Sequence, residues 1–245
     1  MTEQFVSSDG VQLWTVAQGS GVPSALCNGG PGCCDYLAPV AAMLDDIAQV
    51  IRFEARGCGR SDAMPPYTVA TCLADLEAIR RHYGVERWIV GGHSAGADLA
   101  LAYALEYPEK VLGVICISGG RVHNDREWHR IYSERRDQGL EILPAFDYPP
   151  NLEVNAEVNR SWKQYIQRPS LLRELAHLDR PALFVYGECD IRPSWPIEQV
   201  AQLLPNADFH LIAGADHHCW VTHPEELRAA LRAFVQPIAQ ANQEP

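Results

Sequence analysis

A serine set between glycines is the residue pattern with the clearest chemistry. Gly92-His93-Ser94-Ala95-Gly96 spells G-x-S-x-G, with the apolar run Trp88-Ile89-Val90 before it and the helical pattern Leu99, Ala100, Ala102, Tyr103, Leu105 after it. A strand that turns sharply into a helix lifts the hydroxyl at its apex clear of the sheet, and the crowding there admits only small residues two positions either side. A serine hydroxyl is a poor nucleophile at neutral pH, so it needs a base within hydrogen-bond reach and an acid that orients the base. Downstream, Gly187-Glu188-Cys189-Asp190 offers Asp190, with Glu188 as its nearest competitor, and Ala213-Gly214-Ala215-Asp216-His217-His218 offers His217 or His218. Serine, acid, histidine is the chain order expected when each follows a strand of a parallel sheet. Acyl transfer also needs N–H donors for an oxyanion. That of Ala95 lies at a helix start, and that of Gly30, in Asn28-Gly29-Gly30-Pro31-Gly32, sits among glycines that allow close approach of the backbone to a substrate. His93 reads as packing inside the turn, its side chain directed away from that of Ser94. His123, His129 and His177 read as structural or exposed.

The elements that must position these groups follow from periodicity. Two short strands flank the turn Ser8-Asp9-Gly10 within residues 3–17. Strands are expected at 23–27, 49–53, 87–91 and 111–117, alternating with helices at 36–47, 68–83 and 95–107. Thr68 is a suitable cap for the second of these helices, and Gly84 its stop. The rhythm breaks over 121–179, which is polar and rich in Trp, Arg, Asn and Pro, with helices expected at 125–137 and 161–178 and a loop at 144–155. It returns with strand 181–186, helix 196–204, strand 209–212 and helix 224–235, followed by a tail expected to fray from Gln236. Such alternation builds an α/β fold, a mostly parallel central sheet flanked by helices. Residues 1–120 and 180–245 would form the core domain, and 121–179 a small helical cap inserted over the top of the sheet.

Composition narrows the function classes. With 245 residues, 47% hydrophobic and 21% charged, the chain can bury a substantial core. A net charge of −11 argues against a nucleic-acid partner. The eight cysteines, Cys27, Cys33, Cys34, Cys58, Cys72, Cys116, Cys189 and Cys219, include no CxxC pair and no zinc-like spacing. The opening Met1-Thr2-Glu3-Gln4 has no basic region followed by an apolar one, so neither a secretory leader nor a disulfide framework is expected, and a cytoplasmic location is. No apolar run approaches the length of a membrane span. The expected partner is a small-molecule or short peptide substrate, with no cofactor, metal or membrane involved.

Several of these motifs resemble those of one family. Asn28-Gly29-Gly30-Pro31-Gly32 is similar to the H-G-G-P-G loop of the proline iminopeptidases within the α/β-hydrolase superfamily. Arg56-Gly57-Cys58-Gly59-Arg60-Ser61 looks like their R-G-x-G-x-S turn, and residues 92–96 like their elbow. The step of seven residues from His217 to Pro224 matches the superfamily pattern and favours His217 over His218. The resemblance covers roughly residues 10–120 and 180–236. It implies the α/β-hydrolase fold, a triad of Ser94, Asp190 and His217, an oxyanion hole from the N–H groups of Gly30 and Ala95, and hydrolysis of small amides or esters through an acyl-enzyme, foremost by an aminopeptidase of proline iminopeptidase type. Three departures bear on the substrate. Asn28 replaces the loop histidine, Ala95 stands where a tryptophan is frequent, and the insertion is short. Those enzymes hold the substrate amine with glutamates, for which Glu54, Glu153, Glu157 and Glu188 are available, Glu188 being the substrate-binding choice together with Trp128 and Trp162; Trp195 could also line a pocket. Alternatives are a carboxylesterase or lactonase on small acyl substrates, other chemistries of the superfamily such as C–C bond hydrolysis or perhydrolysis, and a ligand-binding receptor of the same fold.

Overall fold

The strand that leads to Ser94 lies in the interior of the sheet. β5 (Trp88–His93) is buried along its whole length, because parallel neighbours pair with both its edges and helices cover both its faces. The structure is a computed structural model and describes residues 2–242. Met1 and residues 243–245 of the tail lie outside these. Among the described residues, eight strands form one sheet in the order β1-β2-β4-β3-β5-β6-β7-β8. β1 (Thr2–Ser8) and β2 (Val11–Gln18) form a hairpin, and β2 pairs antiparallel to β4 (Ala48–Phe53). From β4 through β3 (Val22–Cys27), β5, β6 (Val111–Ile117), β7 (Ala182–Gly187) and β8 (Ala207–Ile212) every pairing is parallel. The carboxyl ends of β3, β5, β7 and β8 therefore point the same way, and the loops after them meet at one end of the sheet.

Two apolar layers sandwich the sheet. On one face α2 (Val69–His82), α3 (Ala95–Glu106) and α7 (Trp195–Leu203) contribute Leu73, Leu76, Ile79, Leu101, Ile197 and Val200. On the other, α1 (Ala38–Ala41), α8 (Cys219–Thr222) and α9 (Pro224–Ala241) contribute Val40, Trp220, Leu227, Leu231 and Val235. Between β6 and β7 lie α4 (Arg126–Asp137), α5 (Leu152–Tyr165) and α6 (Leu171–Ala176).

Four expectations need correction. The helix expected at 36–47 shrinks to α1, because Met43, Leu44 and Ile47 bond three residues back in tight turns; Leu37, Val40 and Leu44 are still buried, as their spacing requires. The loop expected at 144–155 contains the start of a helix. The Asn151 side chain accepts the N–H groups of Glu153 and Val154 and so begins α5 at Leu152, nine residues before the expected start at 161. The expected helix 161–178 is broken at Pro169 into the end of α5 and α6. The tail does not fray at Gln236, since α9 runs to Ala241 with Ala239 buried and Phe234 and Ile238 packed against Gly113 of β6.

Candidate active site

Ser94 stands at the apex between β5 and α3 with φ +54° and ψ −123°, a conformation that costs a non-glycine residue about 1–3 kcal/mol. Its N–H donates to the Ile117 carbonyl of β6 at 2.8 Å, and its carbonyl accepts the N–H of Ala97 at 3.0 Å, so the turn is fixed from both sides. The flanking glycines are there for space. A Cβ on Gly92 would collide with the backbone of Gly96, and one on Gly96 with the Cys27 carbonyl at the end of β3. Among the described residues neither the Ala95 nor the Gly30 N–H donates to a protein acceptor. Both residues line the two cavities that adjoin the elbow.

Asp190 and His217 arrive from the loops after β7 and β8. His217 Nδ1 lies 2.6 Å from Asp190 Oδ2, with both side chains buried. A carboxylate can only accept, so Nδ1 carries the proton and Nε2 keeps its lone pair. Burial, the Arg192 guanidinium and the neighbouring His218 all disfavour the imidazolium, so His217 is neutral well below the ordinary 6.5. Burial raises the Asp190 carboxyl to about 6, against the pull of Arg192, and it stays ionised at neutral pH. The Arg192 N–H donates to Asp190 Oδ1 at 2.8 Å, and its guanidinium bridges Asp190 at 3.4 Å and Glu141 at 2.7 Å. His218 is buried next to Tyr36 and Trp220 with its Nδ1 unpartnered. Among the described residues no hydrogen bond joins Ser94 Oγ to His217. Such bonds are often long in unliganded sites and tighten around substrate. The elbow and the loop after β8 are joined instead through the residue before Ser94, His93, whose Nε2 lies 3.0 Å from the His217 carbonyl oxygen.

Two cavities meet at Gly30 and Ala95. One, of about 70 Å³, is apolar and lined by Phe53, Val69, Leu99, Val154, Val158 and Trp162. The other, of about 410 Å³, contains Ser94 and is lined by polar groups including Arg121, Tyr132, Arg136, Asn155 and Arg192. Trp162 thus borders the small cavity and Trp128 the polar one, while Trp195 is partly exposed against His123. Glu188 is brought to neither. It is exposed and accepts the Gly214 N–H at 2.9 Å. Glu54 is buried under Arg60, which it holds at 2.7 Å, and Glu157 accepts the Tyr67 N–H at 3.4 Å. Among the described residues the one carboxylate that lines both cavities is Asp98. Burial raises its pKa, and it accepts the N–H groups of Gly120 at 2.9 Å and Arg121 at 2.7 Å.

Sequence reasoning did not single out Arg192, Asp98 or Tyr36. Arg192 follows Asp190 by two residues, a spacing open to inspection, whereas the contacts of Asp98 and Tyr36 join segments far apart in the chain.

The α/β hydrolase fold family matches residues 25–156, just over half of the chain. A proline iminopeptidase of Saccharolobus solfataricus is 33% identical over 151 residues, covering 58% of this chain and 49% of the relative. The chain therefore spans about half the length of that relative. A protein of Escherichia coli named "Putative carbamate hydrolase RutD" is 28% identical over 236 residues, covering 84% of this chain and 88% of the relative. Among solved structures, a thermophilic esterase from Thermogutta terrifontis superposes with a TM-score of 0.78 at 22% identity, covering 98% of this chain and 100% of that one. With the sheet order, the strained serine turn and the family match in hand, the chain belongs to the α/β hydrolase fold family.

Proposed function

We propose that the protein is a serine hydrolase that cleaves small acyl esters or amides through an acyl-enzyme. The observation that carries this reading is the buried Asp190–His217 pair at 2.6 Å, tied through the His217 carbonyl to His93, the residue before Ser94 in its strained turn. Ser94 Oγ attacks the substrate carbonyl while His217 Nε2 takes its proton. The N–H groups of Gly30 and Ala95 receive the oxyanion. The bond to the leaving group then breaks, and His217 returns the proton to it. Water, deprotonated by the same nitrogen, attacks the Ser94 ester; the bond to Oγ breaks, His217 returns the proton to Ser94 Oγ, and the acid is released. Asp190 keeps Nδ1 protonated throughout and stabilises the imidazolium.

The cavities favour a short acyl chain. An apolar cavity of about 150 Å³ accepts benzene, so the small pocket suits roughly two to four carbons. The polar cavity, covered by helices between β6 and β7 that act as a cap, receives the leaving group. A second reading, an aminopeptidase of the proline iminopeptidase type, is favoured by similarity to the Saccharolobus solfataricus enzyme. It requires an anion for the substrate ammonium; neither the Asn28 loop nor the glutamates considered for that role supply one at either cavity, and Asp98, which lines both, is already held by the N–H groups of Gly120 and Arg121 and by the Arg121 guanidinium at 3.9 Å. A panel of p-nitrophenyl esters of rising chain length beside proline p-nitroanilide separates the two. Higher kcat/KM on acetyl to butyryl esters is expected, and higher kcat/KM on the prolyl amide would overturn the preference.

A further inference from the structure

His93 and Tyr36 form a hydrogen-bonded chain whose protons can all be assigned. Tyr36 Oη lies 2.8 Å from His93 Nδ1, His93 Nε2 lies 3.0 Å from the His217 carbonyl oxygen, and the Gly29 N–H donates to Tyr36 Oη at 2.8 Å. A carbonyl oxygen only accepts, so Nε2 carries the proton. Burial and the two neighbouring histidines keep His93 neutral, which leaves Nδ1 bare. The Tyr36 hydroxyl must then donate to Nδ1, and its free lone pair takes the Gly29 N–H. Each group is satisfied, and reversing any one bond would strand a donor or an acceptor in a buried site.

The chain joins two loops and a strand end that are remote in sequence. Gly29 precedes the oxyanion donor Gly30 after β3, His93 closes β5 just before Ser94, and His217 follows β8. Gly29 also packs directly on the elbow, with space for a Cβ blocked by the His93 carbonyl, Tyr36 Oη and Ser94 Cβ. The two side chains are themselves held by aromatic contacts. Tyr36 stacks on Trp220 of α8 with centroids 6.0 Å apart and meets Phe146 edge-on at 5.6 Å, and His93 meets Trp220 edge-on at 4.7 Å.

We infer that Tyr36 and His93 are positioning residues that set the oxyanion donor at Gly30 and the base His217 in register with Ser94, a role that rests on the serine-hydrolase reading. Neither side chain touches the reacting atoms. They act through the backbone of Gly29 and the backbone of His217.

The test measures p-nitrophenyl acetate hydrolysis by Tyr36→Phe, His93→Phe and His93→Gln, with kcat counted per site titrated to completion by a fluorophosphonate. Loss of the chain displaces donor and base by a fraction of an ångström, so Tyr36→Phe and His93→Phe are expected to lower kcat by about 10- to 100-fold with KM little changed. His93→Gln is expected to recover most of that loss, because an amide N–H at the Nε2 position can still donate to the His217 carbonyl. Counting per competent site removes any fraction of unfolded protein. Wild-type kcat in Tyr36→Phe, or His93→Gln as slow as His93→Phe, would overturn the inference. Ser94→Ala in the same assay keeps the two claims apart. Full activity there would remove the serine-hydrolase reading itself, whereas inactivity there beside wild-type kcat in Tyr36→Phe would remove the positioning role alone.

Discussion

At the scale of residues, the proposed chemistry depends on where the protons sit. His217 must be neutral and Asp190 ionised. Burial raises Asp190 to about 6, while His217 is held well below 6.5. The acid limb of kcat/KM is therefore set by the pair near pH 6. Activity is present above that value and lost as the pH falls through it, and a pH–rate profile on p-nitrophenyl acetate checks this. Arg192→Met removes the cation that opposes the rise in Asp190, so the acid limb is expected to move to higher pH in the same measurement. Asp190→Asn keeps the shape but leaves Nδ1 facing an amide, which permits the wrong tautomer; kcat is expected to fall by about 10⁴-fold with little change in folding, as read by steady-state kinetics and thermal melts.

At the scale of elements, the elbow and α5 matter most. The Cβ added by Gly96→Ala would meet the Cys27 carbonyl, which is sheet backbone and cannot yield, so the variant is expected to lose about 1–3 kcal/mol of stability in urea titration and most of its activity. Asn151 starts α5, and its Nδ2 also bonds the Gly57 carbonyl while its backbone N–H bonds that of Gly32. Through Val154, Val158 and Trp162, α5 forms a wall of the small cavity. Asn151→Ala is expected to cost about 1 kcal/mol and to raise KM more than it lowers kcat, because the wall loosens while the elbow stays. These elements also show what can be read from sequence. The turn around Ser94 is legible because steric crowding forces small residues into fixed positions, and the alternation over 23–117 because buried parallel strands are continuously apolar. The start of α5 is not. Val154, Val158 and Trp162 repeat at a helical step, but the polar residues between them and the prolines ahead read as loop. The Tyr36–His93–His217 chain escapes for another reason. It is made by two loops and the end of β5, brought together only when the sheet forms, and nothing local to His93 indicates its partners.

At the scale of the whole molecule, one sheet end gathers the loops after β3, β5, β7 and β8, and the helices between β6 and β7 complete two cavities of unlike chemistry. No helix among the described residues is long and apolar enough to cross a membrane. The size of the small cavity should decide chain-length preference. Trp162→Phe removes part of its wall, so the preferred p-nitrophenyl ester is expected to shift toward longer acyl chains, as read from kcat/KM across the series. The most direct test of the central claim, that Ser94 forms the covalent intermediate, is mass spectrometry of the protein treated with a fluorophosphonate. The expected result is one adduct per chain, located on Ser94 and abolished in Ser94→Ala. A folded protein that stays unlabelled, or carries its adduct elsewhere, would contradict the account.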